Sequence, residues 1–149
     1  MTWFPRTTVA AVIEKEGRFL TVEETTRNGL VVFNQPAGHL DQGESLIDAV
    51  VRETREETAW LMEPAGLVGI YRWQVPPSGD TYVRFCFHGK CSDHQPDQPL
   101  DDGIIRAVWL SREELAAKGD RLRSPMVLRC IDDYLKGNTY PLSLFNDLG

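Results

Sequence analysis

The chain has 149 residues, 42% of them hydrophobic and 26% charged, which is ordinary for a folded globular protein and long enough for a continuous core. Its formal net charge of −6 argues against sequence-independent binding to a nucleic-acid polymer, which needs clustered lysine and arginine. That charge does not exclude a small phosphorylated ligand, because a bound cation reverses the local sign.

No internal repeat, low-complexity segment or linker divides the sequence, so residues 1–149 read as one domain. Residues 7–13 read as a strand, Glu16-Gly17 as a turn and 18–23 as the returning strand. Residues 30–33 form a short apolar strand leading to Pro36 and Gly38. A helix starts near Ser45, whose hydroxyl suits the free amides of a first turn. Its apolar positions Leu46, Ile47, Val50, Val51 and Thr54 make a stripe that packs on a sheet beside an acidic edge. Residues 67–75 and 82–88 read as a hairpin around Pro76-Pro77-Ser78-Gly79-Asp80. A polar loop over 92–103 leads to a strand at 104–110, and Ser111 with Glu114 forms a capping box for a short helix. Pro125 opens a last helix through Leu135, which Gly137 stops. Strands and helices alternate irregularly, which predicts an α/β fold with a mixed sheet.

The three cysteines, Cys86, Cys91 and Cys130, are odd in number and lack C-x-x-C spacing, as expected of reduced thiols in the cytoplasm. The N-terminal MTWFPRTTVAAVIEKEG has no basic start followed by a long apolar run, and no stretch approaches the ~20 apolar residues of a membrane span. No signal peptide and no membrane association are therefore expected. No heptad repeat is visible, so a monomer is the default.

Residues 38–60, GHLDQGESLIDAVVRETREETAW, concentrate the chemistry. Glu53, Glu56 and Glu57 are spaced i, i+3 and i+4, which puts three carboxylates on one side of a helix. Like charges so placed repel, and a divalent cation turns that repulsion into binding. Carboxylate oxygens plus retained water are the usual ligands of magnesium beside a phosphate.

The spacing Gly38, five residues, Glu44, seven residues, Arg52-Glu53, two residues, Glu56-Glu57, one residue, Ala59-Trp60 resembles the Nudix box of the Nudix hydrolases. Thr54 stands where an aliphatic residue is usual, and its methyl group can still face the core. Ala59 replaces the glycine that ends the box, so either the helix runs on into Trp60 or the turn is strained, at roughly 1–2 kcal/mol. Val22-Glu23-Glu24-Thr25, the run from Asn34 to Leu40, Leu122-Arg123-Ser124-Pro125 and Tyr140-Pro141-Leu142 resemble the bacterial NudJ-type phosphatases within that family.

The resemblance implies an α/β/α sandwich that hydrolyses nucleoside tri- and diphosphates and the diphosphate of the thiamin pyrimidine precursor. It implies that Glu53, Glu56 and Glu57, with the Gly38 carbonyl, hold magnesium (or manganese in its place), while Arg52 and Glu44 orient those glutamates without touching substrate. Gly38, lacking Cβ, suits a backbone that must turn a carbonyl to the metal. The general base is expected to be Glu53, with Asp97, Asp101 or Asp102 of the later loop as alternatives. Asn34, Gln35 and His39 flank the metal loop and could meet phosphate or a base edge. Arg84 alternates outward from Val83 and Phe85 and could supply a phosphate donor. Trp73, Phe33 and Trp3 could stack on a ring. The competing readings are an RNA 5′-end or dinucleoside polyphosphate hydrolase, for which Arg121, Arg123 and Arg129 are the one compact basic cluster, and a non-catalytic nucleotide sensor. The sensor reading fits poorly, because all the box glutamates are retained.

Overall fold

In the computed structural model, which describes residues 2–77 and 79–149, strand β1 (Arg6–Lys15) organises the chain. The turn residue Ser78 lies outside the described residues. β1 returns as β2 (Arg18–Thr25) through Glu16 and Gly17, both at positive φ (53° and 78°), as a two-residue hairpin turn of matching twist requires. The strands β3 (Val31–Asn34), β4 (Ala37–His39), β5 (Leu61–Gln74), β6 (Thr81–Ser92) and β7 (Ile104–Leu110) complete a seven-stranded sheet. Its order is β3-β2-β1-β6-β5, with β4 paired to the first half of β1 and β7 to β2. β1 and β6 run parallel and every other pair antiparallel, so the mixed sheet is as expected.

β1 is apolar along its middle because both of its faces are covered. Val9, Ala11 and Ile13 pack under helix α1 (Leu46–Thr58) with Ala49, Val50, Met62 and Phe87. Ala10 and Val12 point the other way, into a cluster with Phe33, Val68, Cys86, Val127, Cys130 and Ile131 under helix α3 (Met126–Leu135). The short helix α2 (Arg112–Ala116) carries the Ser111–Glu114 capping box, as read from sequence, and buries Leu115 in the α3 cluster. This is an α/β/α sandwich.

The sequence departs from the structure at the weak strands. β5 begins at Leu61, not residue 67, because Pro64 and Gly66, which discourage strand assignment, are absorbed by shifts of register between Pro64/Gly66 and Leu67/Gly69. β6 runs through Gly89 to Ser92, and Gly89 is required there because a Cβ would collide with the Glu63 carbonyl. β4 has no β-branched residue and no apolar alternation, so only its pairing with β1 defines it: Thr8 with His39, Val9 with Gly38, Ala10 with Ala37. Among the described residues no helix is long and apolar enough to cross a membrane.

Candidate active site

Helix α1 starts where Ser45 Oγ accepts from the Asp48 amide at 3.0 Å. It ends at Ala59, which holds the left-handed conformation (φ 62°, ψ 15°) and donates its amide to the Arg55 carbonyl. Of the two outcomes open from sequence, the strained turn is the one found. It reverses the chain into β5 and leaves the acidic edge of α1 against β4. Thr54 is fully buried, its hydroxyl 3.8 Å from the Met62 sulfur, so the substitution at this box position serves the core.

Arg52 ties the loop before the helix to the glutamates on it. Its Nε and Nη2 form a two-pronged pair with Glu44, at 2.7 and 2.9 Å, and Nη2 also donates to the His39 carbonyl at 3.1 Å. Its Nη1 donates to Glu53 Oε1 at 2.7 Å and reaches Glu56 at 3.3 Å. The guanidinium holds the Glu44 carboxyl below the usual carboxylate range. Glu44 in turn accepts from the Asp41 amide, which pins the loop.

Glu53 and Glu57 are 9% and 8% exposed, unusually buried for glutamates. Glu57 Oε1 accepts from the Ala37 amide at 2.9 Å. Burial pushes the Glu57 carboxyl up to about 9, the Ala37 bond opposes this, and the neighbouring charges of Glu24, Glu53 and Asp101 push it higher. Glu53 is also raised, again chiefly by burial, with Arg52 opposing and Glu56 and Asp101 adding. Gly38 lies against Glu53 so closely that a Cβ on it would fall inside the carboxylate. The requirement for glycine here is therefore steric approach, with no positive φ involved. Among the described residues no three acid, imidazole or thiol groups already converge as a closed metal cage. Arg52 draws on Glu53 and Glu56, and the Ala37 amide holds Glu57.

The polar loop that carries Asp97, Asp101 and Asp102 is docked on the end of α1. The Gln95 and Asp101 amides donate to the Ala59 and Glu56 carbonyls at 3.0 and 2.9 Å, and Gln98 Nε2 donates to the Arg55 carbonyl at 2.7 Å. These donors satisfy carbonyls that a helix terminus leaves free. Of the three candidate acids in this loop, Asp101 is the one whose charge acts on Glu53 and Glu57.

Arg84 does not point outward. It is 3% exposed and faces the α3 side, where Nη1 donates to Gln35 Oε1 at 2.9 Å and Nη2 to Asn34 Oδ1 at 3.1 Å. The outward reading fails because β6 is covered on both faces, so alternation does not mark solvent. Asn34 and Gln35 are themselves buried, while His39 is exposed. The His39 imidazole is held below its ordinary pKa by partial burial and by the cations of Arg6 and Arg123. Trp3 is largely exposed and Phe33 lies in the core, its ring face covered by Lys118 and Arg121. Sequence reading missed Glu24 and the Ala37 amide as neighbours of Glu57, since neither lies in a spaced motif.

The NUDIX domain profile matches residues 3–130. Phosphatase NudJ of Shigella boydii serotype 4 is 41% identical over 143 residues, 96% of this chain and 92% of that protein. Phosphatase NudJ of Escherichia coli K12 is 40% identical over the same lengths. Among solved structures, a NUDIX hydrolase from Nitrosomonas europaea superposes with a TM-score of 0.94 at 46% identity, covering 97% of each chain. The sandwich and its acid-edged helix define a hydrolase acting on phosphoanhydride bonds. The chain belongs to the Nudix family.

Proposed function

We propose that this chain is a magnesium-dependent hydrolase of nucleoside di- and triphosphates, acting also on thiamin pyrimidine diphosphate. The observation that carries the metal reading is the donor set: Glu57 is buried among the acids Glu24, Glu53 and Asp101, with one amide as its hydrogen-bond partner. Two buried glutamates, with Glu24 and Asp101 near enough to raise Glu57, call for a hard cation with oxygen ligands, and the close approach of Gly38 to Glu53 leaves the β4 backbone beside them. Glu53, Glu56, Glu57 and the Gly38 carbonyl would hold it. When bound, magnesium offsets phosphate charge and polarises the phosphorus toward attack by water.

Arg52 keeps Glu53 in place through Oε1, which leaves Oε2 to accept the proton of the attacking water. Asp101 is the second candidate for that role. Glu53→Gln is expected to abolish turnover while Asp101→Asn retains most of it, and the reverse result would move the base to the loop. The relatives' name, phosphatase, supports release of orthophosphate. Small substrates are favoured over RNA, because Arg121, Arg123 and Arg129 are each paired with an acid: Glu23, Glu24 and Asp133. The reading takes residues 1–149 as one domain, a monomer in the cytoplasm. The three free cysteines support a reducing compartment.

The test is phosphate release from nucleoside di- and triphosphates, thiamin-type diphosphates, ADP-ribose and dinucleoside polyphosphates, followed by phosphorus NMR. Cleavage that needs magnesium, stops in EDTA and is lost in Glu57→Gln is the expected result. A folded protein that binds nucleotides and cleaves nothing on the panel would be a sensor instead.

A further inference from the structure

Arg84 is a buried cation with no ion-pair partner among the described residues, and its Nε donates to nothing. A guanidinium only donates, so the Asn34 atom it holds is the carbonyl oxygen, and the amide nitrogen is turned away. The Gln35 amide is consumed internally, its Nε2 donating to the Val127 carbonyl at 2.7 Å. Among the described residues no such acceptor engages Asn34 Nδ2. Asn34 is thus fixed as a donor whose amide is turned away from Arg84.

Strand register places Arg84, which holds this amide, on the same sheet face as an open aromatic row. Thr8 of β1 pairs with His39 on one side and Arg84 on the other, so the three share a face. Tyr82, two residues before Arg84 and on that same face, pairs with Trp73. The Trp73 and Tyr82 rings lie 6.3 Å apart at 26°, and His39 lies 6.3 Å from Tyr82. Trp73 and Tyr82 are half-buried and His39 is exposed, so no core encloses the row. Asn34 is three residues from Ala37, whose amide meets Glu57, so their Cα atoms lie within roughly 11 Å. One molecule of nucleotide size spans that distance.

We propose that the Trp73–Tyr82–His39 row and the Asn34 amide bind the flat nitrogen heterocycle of the substrate. The ring stacks on the row, and a carbonyl oxygen or ring nitrogen on its edge accepts from Asn34 Nδ2. Arg84 is a positioning residue that holds the amide as a donor. The inference rests on the phosphoanhydride reading for what the ring is attached to.

The experiment compares kcat/KM for CTP with that for inorganic tripolyphosphate, which has no ring, and measures CTP binding by calorimetry in EDTA. Trp73→Leu keeps apolar volume, and Asn34→Asp keeps a partner for Arg84 while removing the donor. Each is expected to lower the CTP-to-tripolyphosphate ratio and weaken CTP binding about tenfold, the scale of one stacked ring or one hydrogen bond. Arg84→Met should lower the ratio too, and Arg84→Lys should restore much of it. Ratios and CTP affinity indistinguishable from the wild type in Trp73→Leu and Asn34→Asp would overturn the proposal and leave the hydrolase reading standing. A wild type that binds CTP but cleaves neither compound, with both variants binding more weakly, would uphold the ring site and end the hydrolase reading. A wild type with no affinity for CTP would overturn the ring site.

Discussion

A side chain at Gly38 must displace Glu53 or the β4 backbone, since the two already touch. Gly38→Ala is therefore expected to lower kcat/KM about 100-fold, the scale of a misplacement near 1 Å, with the circular dichroism spectrum unchanged. Normal turnover in that variant would mean that Glu53 need not sit where it does. Glu57 gives a second handle through its pKa. Its folded-state carboxyl, at about 9 against an ordinary 4.5, binds a proton more tightly than in the unfolded chain. The associated stability is therefore complete below the unfolded pKa and is lost as pH rises through about 9. In EDTA, wild-type stability should fall between about pH 4.5 and 9 relative to Glu57→Gln, as denaturant melts across that range would show. A difference that is flat in pH would refute the assignment. The box glutamates and Arg52 were legible in the sequence because helical spacing places them. Glu24 and the Ala37 amide were not, because strand pairing brings them in from distant parts of the chain.

Helix α1 is fixed at both ends by features of unequal legibility. The Ser45 cap could be read directly, since hydroxyl residues serve helix starts for a local reason. The end was legible only as two alternatives, because Ala59 adopts at φ 62° a conformation that sequence assigns to glycine. Ala59→Gly is expected to stabilise the protein, relief of roughly 1–2 kcal/mol of backbone strain exceeding the ~0.8 kcal/mol of one buried methyl. A thermal melt should rise by about 1–3 °C. A fall would show that the methyl, which is buried, matters more than the turn. The loop over residues 93–102 belongs to this element in a physical sense. Its amides complete the carbonyls at the end of α1, which composition alone could not reveal because any polar loop would read the same.

At the scale of the whole molecule, the proposed cation would add to the stability of the fold that holds it. A ligand held by the native fold alone, present at about 100 times its Kd, adds about 2.7 kcal/mol. Magnesium should accordingly raise the melting temperature by roughly 5–10 °C at pH 8 for a chain of this size, and EDTA should reverse it. Glu57→Gln should show much less of the rise, and an equal rise there would place the cation elsewhere. The mixed sheet was legible from the irregular alternation of strands and helices, and the sandwich from the family resemblance. Strand β4 and the first part of β5, residues 61–66, were not, because their residues are chosen for close approach and for bulges.

β4 is three residues long, and two of them face opposite ways. Gly38 looks down on the glutamates of α1, while His39 looks up toward Tyr82. Neighbouring residues of one short strand would thus position the acids and the proposed ring site. An evolving lineage could trade one ring for another by changing His39, Tyr82 or Trp73 and never disturb the acids beneath. The same alternation makes β4 intolerant of insertion: one added residue would exchange the two faces and misplace both at once.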